Sequence, residues 1–77
     1  SCPWMDYAAI FGRNLRRIRK DRGLSQEELG FRAEMKRSYV SDIERGKRNP
    51  SLQAMGRLAD ALDIDLAELL IAQRGSS

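Results

Sequence analysis

The sequence contains no histidine and one cysteine, Cys2, and each scarcity removes a class of chemistry. A lone thiol cannot close an intramolecular disulfide, and without histidine it cannot join a Cys/His cluster, so no metal and no cofactor is expected and Cys2 is incidental. No Gly-rich phosphate loop occurs, and the carboxylates fall where helix caps and ion pairs account for them; an enzyme is not expected. No apolar run approaches the roughly 20 residues that span a bilayer, and nothing resembles a secretory leader, which makes the cytoplasm the expected location and excludes a membrane partner. Strand alternation, internal repeats and low-complexity tracts are missing as well.

What is present suits one small all-α domain. Seventy-seven residues bury only about 60 to 65 per cent of their unfolded surface, which leaves a single modest core with little room for a small-molecule ligand. Apolar residues are 42% and charged residues 32% of the chain, a globular composition. The net charge of +3 is unevenly spread: between Arg13 and Arg48 stand 12 of the 14 cations against 6 anions, whereas from Asn49 onward two cations face four anions. Such a basic region suits a solvated face or a surface for a polyanion.

Periodicity predicts five helices within a domain over 6–72, flanked by tails over 1–5 and 73–77. Ser1 to Trp4 precede Met5 and read as an expression remnant or as upstream residues. Phe11, Leu15 and Ile18 give a first helix of about 13 residues one apolar stripe, ended by Gly23. Ser25 and Glu28 form a capping box for a helix over about Gln26 to Ala33, with Leu29 and Ala33 inward. A third segment, Lys36 to Arg45, turns Val40 and Ile43 inward with Met35 and stops at Gly46. Ser51 caps a fourth helix whose stripe is Leu52, Met55, Leu58, Ala59 and Leu62. Asp65 and Glu68 repeat the capping-box pattern before a last short helix through Leu66, Leu69, Leu70 and Ile71, while Ile64 sits in a loop.

Only Glu34 to Lys36 separate the second and third helices. So short a connection, with Gly30 in the first of the pair, lets them cross steeply and pack closely. Because the third helix has a thin inward stripe, Lys36, Arg37, Ser38, Ser41, Asp42 and Arg45 are left on an exposed face.

Taken together, LRRIRKDRGLSQEEL, RSYVSDIERGKRNPSL and LADALDIDLAELL resemble the lambda-repressor-like, Xre-type helix-turn-helix family, and within it the small controller proteins of restriction-modification genes, over roughly Phe11 to Leu70. The resemblance implies a compact five-helix DNA-binding domain whose third helix reads the major groove. It implies base contacts from Arg37 and Ser38, an arginine there suiting guanine N7 and O6, with Lys36 beside them and Ser41, one turn on, touching a base or a phosphate. Glu27 would steer Arg37 or accept from a cytosine amine. Gln26 resembles a residue that grips a phosphate, and Arg48, with Lys47 and Asn49, looks like a loop that holds phosphates or reaches a base or the minor groove. Tyr39 would give its hydroxyl to a phosphate or cover a helix junction. Arg19 and Glu44 resemble a pair joining the first helix to the end of the third, with Arg19 also placed to touch phosphate. Arg13, Arg16 and Arg17 suit a solvated face or, for Arg16, a phosphate contact.

Two positions depart from the family pattern. Glu34 stands where glycine is common, and a positive φ costs a non-glycine residue on the order of 1 kcal/mol, so the turn is expected to be distorted or relaxed by one residue. Lys36 replaces the usual serine, threonine or aspartate cap, placing a cation at the positive end of a helix; a phosphate there would reverse the penalty. The last helix carries more apolar surface than the core covers, so Leu66, Leu69, Leu70 and Ile71 are expected to form a symmetric dimer or, alternatively, simply to cap the monomer core. The partners expected are a palindromic double-stranded operator, a second copy of the chain and RNA polymerase. The activity expected is sequence-specific transcription regulation, including autoregulation of a restriction-modification operon. An antitoxin-type or adaptor protein using the same fold for protein interaction is the alternative.

Overall fold

A computed structural model describes residues 6–72; the tails over 1–5 and 73–77, and Cys2 with them, lie outside the described residues. Four α-helices follow in order, α1 Tyr7–Asp21, α2 Gln26–Ala33, α3 Arg37–Glu44 and α4 Leu52–Leu62, and a 3-10 turn over Leu66–Leu70 closes the fold. The first helix is two residues longer than expected because Asp6 caps it, accepting from the Ala9 N–H at 3.1 Å. Ser25 and Glu28 make the expected reciprocal box, at 3.0 and 2.8 Å, and Ser51 accepts from the Ala54 N–H at 3.1 Å.

All four helices end in the same way. Two backbone N–H groups past each end bond back to carbonyls of the last turn, as in Leu24 to Arg19 and Gly23 to Lys20 after α1, or Met35 to Gly30 and Glu34 to Phe31 after α2. This closure requires a left-handed residue. Glycine supplies it after α1 and α3, but Glu34 (φ 60°) and Asp63 (φ 58°) supply it after α2 and α4. The turn at Glu34 is thus neither distorted nor relaxed by a residue; the glutamate adopts the strained conformation outright. Arg57 of α4 stabilises it, donating from Nε and Nη2 to the Ala33 carbonyl and from Nη2 to that of Glu34 (2.8 Å).

The core is where the stripes meet: Phe11, Leu15, Leu29, Val40, Ile43, Leu58, Leu62 and Leu69 are fully buried or nearly so. Two expectations are corrected. Leu52, assigned to the α4 stripe, is 70% exposed; it opens the helix, ahead of the turn that packs, and Ala54 takes the inward place. The Asp65–Glu68 cap is the second: the last short helix is present as a 3-10 helix, and Asp65 makes no side-chain cap. So short a segment, packed against α1 and α4, suits the tighter 3-10 form.

The closing turn is tied down by a residue that the apolar pattern did not single out. Asn14 is 1% exposed, and its Nδ2 donates to the carbonyls of Leu69 and Ile71, both at 2.9 Å, while its Oδ1 accepts from Arg17. Leu69, expected at a dimer interface, is fully buried in the protomer's own core and leaves that surface. Leu70 and Ile71 remain 40% and 54% exposed, with Leu66 half-buried.

Candidate nucleic-acid interface

Helix α3 is eight residues long, or about 12 Å, and it is immobilised at three places. Its buried stripe, Val40 and Ile43, enters the core. At its start, a Cβ on Gly30 would stand 2.6 Å from the Met35 carbonyl oxygen, so only glycine permits α2 to approach the turn this closely. At its end, the backbone of α1 at Gly12 abuts the Ile43 and Glu44 carbonyls, where a Cβ would collide.

An ion pair reinforces that end. Arg19 Nε donates to Glu44 Oε2 at 2.6 Å and Nη2 to Oε1 at 3.0 Å, both residues being 8% exposed, and Arg19 Nη1 donates to the Leu24 carbonyl at 2.8 Å. The planar fork of arginine suits this two-point contact, and breaking it would leave a buried charge uncompensated. The expectation that Arg19 also touches phosphate is therefore corrected: its three nitrogens are already directed inward.

From this anchor a row of side chains leads outward. Gln26 Nε2 donates to Glu44 Oε1 at 3.0 Å, and Arg37 Nη1 donates to Gln26 Oε1 at 3.0 Å. Arg37 is exposed at the first turn of α3, with Lys36 and Ser38 exposed beside it and Ser41 half-buried one turn on. Glu27 was expected to steer Arg37 or to accept from a cytosine amine, and the first of these is corrected. The partner is Gln26 instead, because Gln26 begins α2 on the side facing α3 while Glu27 turns to solvent.

The loop after α3 adds a second cluster. The Arg48 guanidinium carbon lies 5.0 Å from the centroid of the half-buried Tyr39 ring, a cation–π arrangement. Asp42 takes Arg45 Nη2 at 3.3 Å and lies 3.9 Å from Arg48 Nη2. These exposed pairs contribute at most about 1 kcal/mol, so a polyanion can redirect both arginines. Lys47 and Asn49 are exposed next to them. Between α3 and the start of α4 runs an open cleft of about 490 Å³, with Lys36, Arg48 and Arg57 among its walls. Arg16 is exposed on α1, outside the hydrogen-bonded row.

The structure thus groups Gln26, Lys36, Arg37, Ser38, Ser41, Tyr39 and Arg48 on and around α3. It separates Arg19, which is internal, and shows that Arg22 is structural too, donating to the Leu62 carbonyl at the end of α4. Lys36 has no side-chain cap, as expected, so the N–H groups opening α3 meet no serine or aspartate oxygen. Sequence reasoning missed Asn14, Arg22 and Arg57. Only Asn14 carried a signal, being a polar residue on the Phe11–Leu15–Ile18 stripe; the two arginines act on carbonyls 40 and 24 residues away, which no local pattern encodes.

The family profile for helix-turn-helix proteins matches residues 15–69. The chain is similar to the control protein C.BamHI of Bacillus amyloliquefaciens, 42% identical over 62 residues that cover 79% of this chain and 76% of that protein. Among solved structures it is similar to the restriction-modification controller protein C.AhdI from Aeromonas hydrophila, with a TM-score of 0.79, 50% identity and coverage of 80% of this chain and 94% of that one. The hypothetical transcription factor NHTF from Neisseria superposes with a TM-score of 0.85 at 35% identity, over 90% and 78% of the two chains.

Proposed function

The chain belongs to the Xre-type helix-turn-helix family, a family of DNA-binding transcriptional regulators rather than enzymes, and we propose that it recognises a palindromic operator in double-stranded DNA as a homodimer. Helix α3 enters the major groove with Arg37 leading. Its guanidinium spends one of five N–H donors on Gln26, which leaves enough for a two-point contact with guanine N7 and O6. Lys36, Ser38 and Ser41 reach neighbouring base edges, and Arg48 reaches a base or the minor groove. Gln26, Tyr39, Lys47, Asn49 and Arg16 meet phosphates, which position the protein without reading sequence.

Leu66, Leu70 and Ile71 form the contact between protomers, placing two copies of α3 about one DNA turn, roughly 34 Å, apart. The likeness to control proteins supports the narrower reading that the chain regulates a restriction-modification operon. In this reading its own gene is among the targets, it acts in the cytoplasm, and RNA polymerase is a further partner. No helix of the described residues is long and apolar enough to cross a membrane.

The observation that carries the proposal is the exposed Arg37 guanidinium at the leading end of a helix whose opposite face is buried. Selection of bound duplexes from a random pool tests it. Enrichment of two inverted half-sites about 10 base pairs apart is expected, with log affinity falling by about 0.9 per phosphate contact for each unit of log salt. Absence of any enriched sequence, or a flat salt dependence, overturns it.

A further inference from the structure

Between the buried ion pair and the exposed recognition arginine stands one neutral side chain, and the chemistry of its two neighbours leaves it a single orientation. Glu44 as a carboxylate can only accept hydrogen bonds, and Arg37 as a guanidinium can only donate them. Gln26 joins them with its Nε2 toward Glu44 and its Oε1 toward Arg37, each at 3.0 Å. Reversing the amide would set oxygen against carboxylate and N–H against guanidinium, so both bonds would be lost together. Glu44 is itself immobile, 8% exposed and held by Arg19 through two bonds.

We propose that Glu44 is a positioning residue for sequence readout: by setting the polarity of the Gln26 amide it keeps an acceptor aimed at Arg37 and holds that guanidinium in place before DNA arrives. This rests on the reading of Arg37 as a base-contacting residue. Arginine on an exposed helix otherwise samples many rotamers, and ordering it beforehand removes part of the entropy lost on binding. The buried pair between α1 and α3 thereby acts on recognition as well as on stability.

A double-mutant cycle tests this, with preference for each base of the selected half-site measured for Arg37→Ala, Gln26→Leu, Glu44→Gln and the variant carrying both of the last two. Arg37→Ala identifies its base pair by losing about 5- to 150-fold preference there. Glu44→Gln is expected to lose roughly threefold or more at that same base pair and no other, because its new amide can donate to Gln26 and reverse it. It should add nothing in the Gln26→Leu background. Additive losses, or a uniform weakening at every position, show a structural effect only and overturn the proposal while leaving the regulator reading intact. Unchanged preference in Arg37→Ala overturns that reading and the proposal with it.

A readout on the unaltered protein stands apart from whether Glu44→Gln folds. The Gln26 side-chain amide should be ordered without DNA, and a nitrogen-15 order parameter below roughly 0.6 overturns the proposal.

Discussion

Replacing Asn14 with alanine removes the only side chain that fastens the closing 3-10 turn to α1 by hydrogen bonds among the described residues. Its Nδ2 serves two carbonyls at 2.9 Å, and they are not equivalent. Leu69 is fully buried, so its carbonyl has no water to turn to and bears the cost of an unsatisfied buried acceptor, about 1–3 kcal/mol. Ile71 is more than half exposed, so its carbonyl is rehydrated and only the net bond, about 1 kcal/mol, is lost. The expected destabilisation is about 2–4 kcal/mol, set against roughly 4–12 kcal/mol for a domain of this size. Urea unfolding followed by circular dichroism measures it at several protein concentrations, since the proposed dimer would add to apparent stability. Because Leu70 and Ile71 ride on the released segment, the concentration dependence should weaken too. A loss below about 0.5 kcal/mol would refute the reasoning, showing that the turn is held by Leu69 packing alone.

Glu34→Gly should stabilise the fold by about 0.5–1 kcal/mol, because glycine adopts φ 60° without strain while Arg57 bonds to backbone carbonyls that the substitution leaves in place; a lower denaturation midpoint contradicts this. Leu69→Ala should cost about 2–5 kcal/mol as a core cavity, whereas Leu70→Asp should leave helicity intact and yield monomers in sedimentation at micromolar concentration; a dimer that persists in Leu70→Asp removes that surface from the interface. The Glu28 carboxyl is held below its ordinary value, first by the Ser25 backbone N–H and then by the Ser25 side chain. A depressed folded-state value means that its contribution is full above the ordinary glutamate range and is lost as pH falls through the depressed value. Carbon-13 titration should place Glu28 below the ordinary range and show it moving upward in Ser25→Ala; no movement contradicts the assignment.

The site was legible where chemistry and spacing coincide. The Ser25–Glu28 box, the Ser51 cap, the glycine stops and the two-residue inward stripe of α3 are local patterns, and together they expose Arg37, Ser38 and Ser41. Gln26 and the Arg19–Glu44 pair are legible only through the family resemblance. The resemblance also implies that Glu27 steers Arg37 or accepts from a cytosine amine; which of two adjacent residues faces α3 depends on the crossing of α2 and α3, and that is set by the backbone contact at Gly30.

Helix order and approximate limits follow from periods and caps that act over three or four residues, so the chain by itself determines them, together with the concentration of cations between Arg13 and Arg48. Contacts between residues far apart were decided only on folding: Asn14 on the closing turn, Arg22 and Arg57 on helix ends, and Leu69 drawn into the core while Leu70 stays out. These choices depend on where carbonyls and cavities lie once the helices are packed. A residue's type says what bonds it can make, and only its surroundings say which of them remains to be made.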